Sequence, residues 1–300
     1  MRIRLLGTAA GGGLPQWNCA CANCRAARRG DIPARTQSSV ALSADGDHWF
    51  LVNASPDLRA QIEAFPPLHP TIAARRVSPI QAVFLTNADL DHVLGLFLLR
   101  EGKRLPAFAP DGVRAALTKD LPIDSLMGSF GGLEWDAISE HYAPLALATG
   151  ERTSLSFRAL PLSSSPPPYA SKATPGVQSV AFQFRDEQTG GSVVIAPDVG
   201  EITPALTAAM EESALVLFDG TFWSDDELST LKPGARTSRE MGHLPIRHGS
   251  LPVLRALRGP RRVFLHINNT NPILAAASRE RAETLAAGVE IGEDGREFTV

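Results

Sequence analysis

The sequence contains no long hydrophobic segment. None of its stretches approaches the roughly eighteen apolar residues that a membrane-spanning helix requires. Residues 1–7 carry charge, but they offer no apolar region long enough for a signal peptide before the glycines that follow. The sequence therefore predicts a cytoplasmic protein without a membrane span.

The sequence also has no large excess of either charge. It contains 29 lysines and arginines against 32 aspartates and glutamates, with a formal net charge of −3 at pH 7. This balance gives no electrostatic attraction for nucleic acids or anionic membranes, so we expect no nucleic-acid partner. The hydrophobic fraction of 44% is ordinary for a globular protein, and 300 residues suffice for a core that needs no disulfides.

Phosphate-binding motifs are missing from the glycine-rich stretch near the N-terminus. Residues 7–15 lack the Gly-Lys-Ser/Thr ending of a phosphate-binding loop and the G-x-G-x-x-G spacing of a dinucleotide-binding turn. Glycine adopts positive φ angles and permits close backbone approach at little steric cost. We predict that these glycines let the backbone pass close to a neighbouring site.

Cysteine is scarce, and its placement is unusual. The three cysteines, Cys19, Cys21 and Cys24, all lie within six residues of one another. An odd number excludes complete disulfide pairing, and a C-x-C-x-x-C cluster is typical of thiolate ligands for one tetrahedral zinc ion. The alternatives are incidental thiols or a redox pair. A zinc site would need a fourth ligand from another part of the chain.

Three potential metal ligands follow a predicted buried strand. Residues 83–86 are apolar, β-branched or aromatic, and Asp89, Asp91 and His92 come shortly after them. Folds of the α/β class place their chemistry at the carboxyl ends of strands. Two carboxylates and an imidazole this close together favour a cation between them. The alternative is an aspartate-rich helix N-cap, with His92 an ordinary polar residue.

Three other apolar runs also end in a residue that can bind a metal. These residues are Asp198, Asp219 and His266. A single residue of this kind is usually a cap or a satisfied polar group, but several would converge if their strands lie side by side in packed sheets. His243 lies in a predicted turn and is a candidate acid–base group.

Turn signals and hydrophobic patterns predict further elements. Residues 38–53 are predicted to form a β-hairpin, and so are residues 289–300, because each segment has a short aspartate- and glycine-containing turn between apolar runs. Ser55 is the predicted cap of a helix whose first position is proline. Another helix is predicted over residues 92–100.

Residues 163–176 form the most loop-like part of the chain. The segment is rich in serine and proline, which excludes a central strand. Long ordered loops are often functional, so we predict a lid or an interface, with a simple linker as the alternative.

Several motifs together resemble a known superfamily. A glycine-rich loop, the C-x-C-x-x-C cluster and a strand followed by residues 87–92 occur in the order typical of the metallo-β-lactamase superfamily. Four segments resemble motifs of one family within it, which functions in the biosynthesis of pyrroloquinoline quinone (PQQ): residues 14–19, 219–223, 241–243 and 266–272. The resemblance implies an α/β fold, a metallo-β-lactamase-like αββα sandwich of two mixed sheets flanked by helices, as a single domain over residues 1–300.

The chain departs from the superfamily pattern at the metal ligands. Hydrolases of this fold bind two metals with H-x-H-x-D-H, whereas this chain has Asn87 and Asp89 in place of the first two histidines and Ser163 in place of a later one. An oxygen-rich set with two histidines suits a single non-haem Fe(II), and zinc is the alternative. The ligands implied for this metal are Asp89, Asp91, His92, Asp198 and His266.

The cysteine cluster departs from the pattern as well. Related phosphodiesterases supply the fourth zinc ligand from a histidine three residues beyond the position of His266, and this chain has Asn269 there. The fourth ligand of the structural zinc is therefore Asn269, a water molecule or another residue.

The resemblance implies a function in PQQ biosynthesis. It implies a metal-dependent oxygenase that hydroxylates the tyrosine ring of a Glu-Tyr-derived precursor, with His243 and Asp89 as candidate catalytic residues and His243 as the proton-transfer group. One alternative is a hydrolase that cleaves a precursor peptide with a metal-bound hydroxide. Another is a carrier of PQQ or its precursor toward the periplasm. The expected partner is a small peptide, a PQQ precursor or PQQ itself, and a homodimer is left open.

Overall fold

The computed structural model describes residues 1–73, 75–163, 165–171 and 175–300. In the described chain, none of the helices is long and apolar enough to cross a membrane. The strands are β1 (Arg2–Gly7), β2 (Ser39–Ser43), β3 (Trp49–Val52), β4 (Ile80–Phe84), β5 (Leu105–Phe108), β6 (Leu133–Asp136), β7 (Ala143–Ala146), β8 (Arg152–Leu162), β9 (Ser179–Asp186), β10 (Ser192–Ala196), β11 (Leu215–Asp219), β12 (Arg261–Leu265), β13 (Glu290–Ile291) and β14 (Glu297–Thr299).

The helices are short and lie between these strands. The α-helices are α1 (Ala22–Arg29), α2 (Leu58–Glu63), α3 (Leu90–Val93), α4 (Asp111–Ala115), α5 (Ile123–Gly128), α6 (Pro204–Glu211), α7 (Leu251–Ala256) and α8 (Arg279–Ala286). The 3₁₀ turns are Pro66–Leu68, Leu94–Leu99, Arg239–Met241 and Pro272–Leu274, and the π-helical turns are Ala116–Asp120 and Ile246–Ser250.

The strands form two mixed sheets. The first has the order β14-β1-β2-β3-β4-β5-β6, and the second has the order β13-β12-β11-β10-β9-β8-β7. Side chains from both sheets share one central core, in which Phe84 stacks on Phe108 at 4.5 Å and meets Phe182 and Phe184 edge-on. Two further cores lie under the helices on the outer faces. This is the predicted αββα sandwich, and the structure confirms it.

Parallel pairing brings the ends of the site-forming strands to one edge. In the first sheet β3 runs parallel to β4, and in the second sheet β10, β11 and β12 run parallel to one another. These strands are almost wholly buried, as expected for parallel strands covered on both faces. The segments that follow β4, β10, β11 and β12 therefore converge, as the sequence predicted.

The predicted hairpin at residues 289–300 is wrong. Its two strands belong to different sheets, because β13 pairs parallel with β12 whereas β14 pairs antiparallel with β1. The turn between them is held by tertiary contacts, since the Asp294 carboxylate accepts hydrogen bonds from the Thr8 hydroxyl at 2.6 Å and the Thr36 amide at 2.6 Å. The hairpin predicted at residues 38–53 is confirmed by the antiparallel pairing of β2 with β3.

The predicted cap at Ser55 is also wrong. Helix α2 begins at Leu58, so its N-cap position is Asp57. The Ser55 hydroxyl instead donates a hydrogen bond to Gln61 Oε1 at 3.0 Å. The side chain is therefore engaged in a buried contact across the helix and is not available for the first turn.

The predicted helix over residues 92–100 starts earlier and changes type. It begins at Leu90 as α-helix and continues as a 3₁₀ helix from Leu94 to Leu99. The change occurs where the Gly95 amide donates to the carbonyl of Ala54 at 2.8 Å instead of to the preceding helical turn. A Cβ atom at Gly95 would lie 2.2 Å from the Ser55 carbonyl oxygen, so only glycine permits this contact.

The lid predicted at residues 163–176 falls partly outside the described residues, which omit Ser164 and residues 172–174. In the described part of the loop, the Tyr169 hydroxyl donates a hydrogen bond to the carbonyl oxygen of Ala88. The loop therefore contacts the turn that carries the first candidate ligands. Its function as a lid remains a prediction.

Candidate metal centre

Two histidines and an aspartate meet at the shared edge of the sheets. Helix α3, which follows β4, supplies Asp91 and His92, and the residue after β12 is His266. Asp91 Oδ2 lies 3.1 Å from His266 Nε2 and 3.8 Å from His92 Nε2. Each residue thus directs one donor atom toward the same point, which is the arrangement that a metal ion requires.

His92 provides a direct test of whether a metal fits this position. The side chain is fully buried, and its Nε2 atom has no hydrogen-bond partner within the described structure. A buried polar atom left unpaired costs about 1–3 kcal/mol, so such atoms are rare in folded proteins. A cation bound between Asp91, His92 and His266 would satisfy this nitrogen, and the three residues therefore fit a metal.

Asp198 lies beside the same three residues. Its Oδ2 atom is 3.4 Å from His92 Nδ1, and its Oδ1 atom is 3.6 Å from His243 Nδ1 and 3.8 Å from His266 Nδ1. Asp198, His243 and His266 could also hold a metal ion by the distances between their donor atoms. The sequence had placed only two imidazoles in the ligand set. His243 brings a third because its turn folds onto the centre.

Asn87 occupies the space between two carboxylates. Its Nδ2 atom donates to Asp89 Oδ2 at 3.0 Å and to Asp198 Oδ2 at 3.1 Å. Asp89 lines the cavity over the centre but belongs to neither of the two ligand groups above. The amide of Asn87 therefore joins Asp89 to Asp198 at the motif position where hydrolases of this fold have a histidine.

The carboxylates and imidazoles shift one another's pKa values. Burial, together with the nearby charges of Asp198 and Asp91, raises the pKa of Asp89 to about 6. Burial also acts to raise the pKa of Asp91, but His92 and His266 outweigh it and hold that pKa below its usual range. Asp91 is therefore ionised and ready to bind a cation, whereas Asp89 can exchange a proton near neutral pH.

The two histidines closest to the carboxylates hold protons strongly when no metal is bound. Burial acts to lower the pKa of His266, yet Asp198 and Asp91 raise it to about 10. The pKa of His243 is raised in the same way, mainly by Asp219 against the effect of burial. Metal binding at His266 must therefore displace a proton, so metal affinity should rise with pH.

Buried threonine hydroxyls orient both metal-facing imidazoles. Thr86 Oγ1 lies 3.2 Å from His92 Nδ1 and donates to Asn53 Oδ1 at 3.1 Å. Thr221 Oγ1 lies 2.8 Å from His266 Nδ1. A hydroxyl that accepts the Nδ1 proton leaves the Nε2 lone pair free for a metal, so each threonine selects the tautomer that a ligand needs.

Asp219 connects the remaining parts of the centre. Its Oδ1 atom accepts from the Thr221 hydroxyl at 2.6 Å, and its Oδ2 atom lies 2.8 Å from His243 Nδ1 and accepts from the Val199 amide at 2.9 Å. The sequence marked Asp219 as a polar residue after a strand but did not assign it a function. Asp219 holds His243 directly and His266 through Thr221.

The backbone at this centre is strained. In the described chain, the non-glycine residues with positive φ are Asn53 at 62° and His266 at 55°. Non-glycine residues rarely adopt this conformation, and where it persists it is often found at functional sites. Both residues belong to the centre. His266 is a candidate ligand, and Asn53 is the hydrogen-bond partner of Thr86.

The glycine-rich loop approaches the centre, as predicted. Gly12 and Gly13 adopt φ angles of 93° and 69°. A Cβ atom at Gly11 would lie 3.4 Å from the carboxyl group of Asp91, which is ordinary van der Waals contact. The loop therefore forms one wall beside the candidate metal position.

We expect Thr221→Val to weaken metal binding at His266. The substitution preserves side-chain shape but removes the hydroxyl that contacts His266 Nδ1, and the loss of such a supporting hydrogen bond typically costs about 10–100-fold in metal affinity. Titration with Fe(II) or Zn²⁺ against a competing chelator measures the effect. Thr118→Val is the control, because the Thr118 hydroxyl donates to a carbonyl of its own helix at the surface. Equal affinities for wild type and Thr221→Val would contradict the orienting function.

The three cysteines gather around Asn269. The Nδ2 atom of Asn269 lies 3.2 Å from Cys19 Sγ, 3.5 Å from Cys21 Sγ and 3.2 Å from Cys24 Sγ. The amide oxygen and nitrogen of an asparagine are assigned from the hydrogen-bond network, so a rotated amide would present its oxygen to the same point. The structure thus places Asn269 where the sequence expected a fourth ligand.

A cavity of about 970 Å³ opens above the metal centre. Its size suits a small-molecule ligand. The cysteine loop forms part of its wall, so the two clusters share one cavity. The lining residues are Ala10, Gly11, Gln16, Asn18, Cys19, Ala20, Cys21, Ala22, Arg25, Asp89, Asp91, Asp198, Thr221, Phe222, Leu228, Leu231, Lys232, Ala235, Met241, His243, His266, Asn268, Asn269 and Thr270.

The fold and this centre define the class of protein. Residues 48–267 match the beta-lactamase superfamily domain. The structure is also similar to a diphosphatase of the PhnP family, with a TM-score of 0.68 and 19% identity over 99% of this chain and 97% of that one. The chain is a member of the metallo-β-lactamase superfamily.

Closer relatives define the family within this class. The chain is 44% identical over 303 aligned positions to coenzyme PQQ synthesis protein B of Pseudomonas putida (strain GB-1), covering 98% of each protein. The Zn²⁺-bound PqqB of Methylobacterium extorquens is 35% identical, with a TM-score of 0.89 and complete coverage of both chains. The chain therefore belongs to the coenzyme PQQ synthesis protein B family.

Proposed function

We propose that this protein is a metal-dependent oxygenase of PQQ biosynthesis that hydroxylates the tyrosine ring of a Glu-Tyr-derived precursor in the cytoplasm. The observation that carries the proposal is the triad of Asp91, His92 and His266 below an open cavity. Two histidines and one carboxylate on one side of a metal are the ligand set of non-haem Fe(II) oxygenases, which keep the other positions open.

The hydrogen bonds of Asn87 support a single metal. A second cation in this fold would need donor atoms in the region where the Asn87 amide joins Asp89 to Asp198. An amide NH₂ group repels a cation and offers it no lone pair, so this pair of hydrogen bonds opposes the two-metal site of the hydrolases. A single metal with open positions favours oxygen chemistry over hydrolysis by a bridged hydroxide.

Iron held by this triad would supply the activation of O₂ for transfer of one oxygen atom to the ring. The second oxygen atom leaves as water, and an external reductant provides the two electrons that balance the reaction. The protein's own contribution is to position and deprotonate the phenol. Asp219 holds His243 Nδ1, and a cation bound beside it favours the neutral imidazole, so the Nε2 atom of His243 is the nitrogen available in the cavity to accept a phenol proton.

Anaerobic reconstitution tests the proposal. The protein is loaded with Fe(II), supplied with a Glu-Tyr peptide and ascorbate, and then exposed to O₂. We expect O₂ uptake and a product heavier than the peptide by one oxygen atom, and ¹⁸O₂ should label that atom. Protein loaded with Zn²⁺ is the control, since zinc binds the same ligand types but does not change oxidation state.

Other outcomes would identify a different function. Cleavage of a precursor peptide without O₂ would contradict the oxygenase and indicate a hydrolase. Binding of PQQ with no turnover of any precursor would contradict it as well and indicate a carrier. Neither result would change the arrangement of Asp91, His92 and His266.

We also propose a structural zinc at Cys19, Cys21 and Cys24, with Asn269 as the fourth group. Cys21→Ser tests it, because Cys21 Sγ also caps α1 by accepting from the Cys24 amide at 3.4 Å, and serine keeps this capping function. We expect loss of one zinc per chain and faster proteolysis near α1, with the secondary structure retained. Full zinc content in the variant would contradict the site.

A further inference from the structure

The charges that line the cavity are separated in space. Asp89, Asp91 and Asp198 lie at the floor, beside the candidate metal position. The lysine and arginine of the lining are Arg25 and Lys232, both exposed at the mouth. One comes from α1 and the other from the segment that follows β11. A ligand in the cavity would therefore meet the metal centre at one end and two basic side chains at the other.

Neither of these two cations is neutralised by the protein. Within the described residues, no carboxylate lies at salt-bridge distance from Arg25 or Lys232. The Arg25 guanidinium donates to the carbonyl of Ala20, which also lines the cavity. This bond fixes one nitrogen and leaves the rest of the guanidinium free. Arg28, one turn further along α1, lies outside the lining and donates to the carbonyls of Gln16 and Cys19.

Part of the cavity lining is apolar. This apolar wall is formed by Phe222, Leu228, Leu231 and Met241. The Phe222 ring meets His243 edge-on at 5.8 Å, close to the metal centre, whereas Leu231 is 56% exposed near the mouth. A flat apolar or aromatic group lying along this wall would cover Leu231 and bring its inner edge to His243.

We propose that Arg25 and Lys232 bind the carboxylate end of an aromatic substrate and thereby set which end enters first. The two cations hold the carboxylate end at the mouth while the ring lies along the apolar wall, so the aromatic ring points toward the metal. An arginine can form paired hydrogen bonds with a carboxylate, and a lysine adds a point charge. This proposal rests on the proposed function, because it names the substrate end recognised at that same site.

Binding of two probes to the metal-loaded protein under anaerobic conditions tests the proposal. The probes are the Glu-Tyr dipeptide and its analogue Gln-Tyr-amide, which keeps the N-terminal amine but lacks both carboxylates, and binding is measured by calorimetry without turnover. Charge-assisted contacts of this kind are expected to make the acidic probe bind roughly tenfold tighter, and salt should reduce the difference. Arg25→Gln and Lys232→Gln should each reduce the preference several-fold, and the double variant should abolish it.

Matched controls keep the result specific. Arg28→Gln removes a cation from the same helix, and Arg236→Gln removes one that lies four residues after Lys232, and both should keep the preference. A wild-type preference that survives in the Arg25→Gln/Lys232→Gln variant would overturn the proposal, and so would a wild type with no preference. Neither result would contradict the proposed function, which is decided separately by ¹⁸O₂ incorporation.

Discussion

His92→Ala is expected to abolish metal binding at the active site and all O₂-dependent turnover. The donor atoms of Asp91, His92 and His266 converge on one point. The variant removes the donor of His92, which is the buried Nε2 atom that has no hydrogen-bond partner in the described structure. The loss should exceed the roughly 10–100-fold that follows removal of a supporting hydrogen bond, because a ligand itself is lost. Metal content after dialysis and O₂ uptake with the peptide measure the effect.

The zinc content of the cysteine cluster distinguishes loss of the active-site metal from unfolding of the whole protein. His92→Ala should keep one zinc per chain, since the cysteine cluster uses none of the same residues. His141→Ala is the matched control, because His141 is an exposed histidine away from both clusters. A His92→Ala protein that still binds iron tightly and hydroxylates the peptide would show that the metal lies elsewhere.

The double variant Asn87→His/Asp89→His is expected to bind a second metal. It recreates the H-x-H-x-D-H motif and removes the amide that joins Asp89 to Asp198. Two imidazoles would then face Asp198 with lone pairs in place of an NH₂ group and a carboxylate. We expect metal content at the active site to rise from one to two per chain, measured by elemental analysis after the cysteine-bound zinc is subtracted. Hydroxylation should be lost, because Asp89 is a candidate catalytic residue.

The matched control removes the same groups without adding imidazoles. Asn87→Ala/Asp89→Ala opens the same space but supplies no new ligand, so it should keep one active-site metal. If the histidine variant also stays at one metal, the amide of Asn87 is not what prevents a second ion. If the alanine variant gains a metal, space alone controls the number of ions.

The convergence of the candidate ligands was predictable from the sequence because it follows from local pattern. Apolar runs followed closely by Asp91, Asp198 or His266 identify strand ends, and parallel strands bring such ends together. The superfamily fold came from the resemblance, which the structure and the relatives confirm.

The contacts that complete the centre were not predictable in the same way. His243 comes from a turn, and no strand pattern points to its place beside Asp198. The hydroxyls of Thr86 and Thr221 are short side chains whose importance depends on a distance of about 3 Å to an imidazole, which no spacing in the sequence reveals. These are tertiary hydrogen bonds between distant segments.

The prediction of a hairpin at residues 289–300 was wrong for the same reason, because strand pairing depends on contacts between distant segments. An aspartate and glycine between two apolar runs are a local turn signal, and that signal was correctly placed at Asp294. The partners of β13 and β14 are β12 and β1, which lie far away in the sequence and in different sheets. Local patterns identify turns well, but pairing is decided by the packing of the whole sandwich.

Anomalous diffraction from crystals of the iron-loaded protein tests the account most directly. Data collected on both sides of the iron and zinc absorption edges locate each metal separately. We predict one iron coordinated by Asp91 Oδ2, His92 Nε2 and His266 Nε2, and one zinc among the three cysteine sulfurs. Iron at any other position, or two metals between Asp89 and Asp198, would contradict the account.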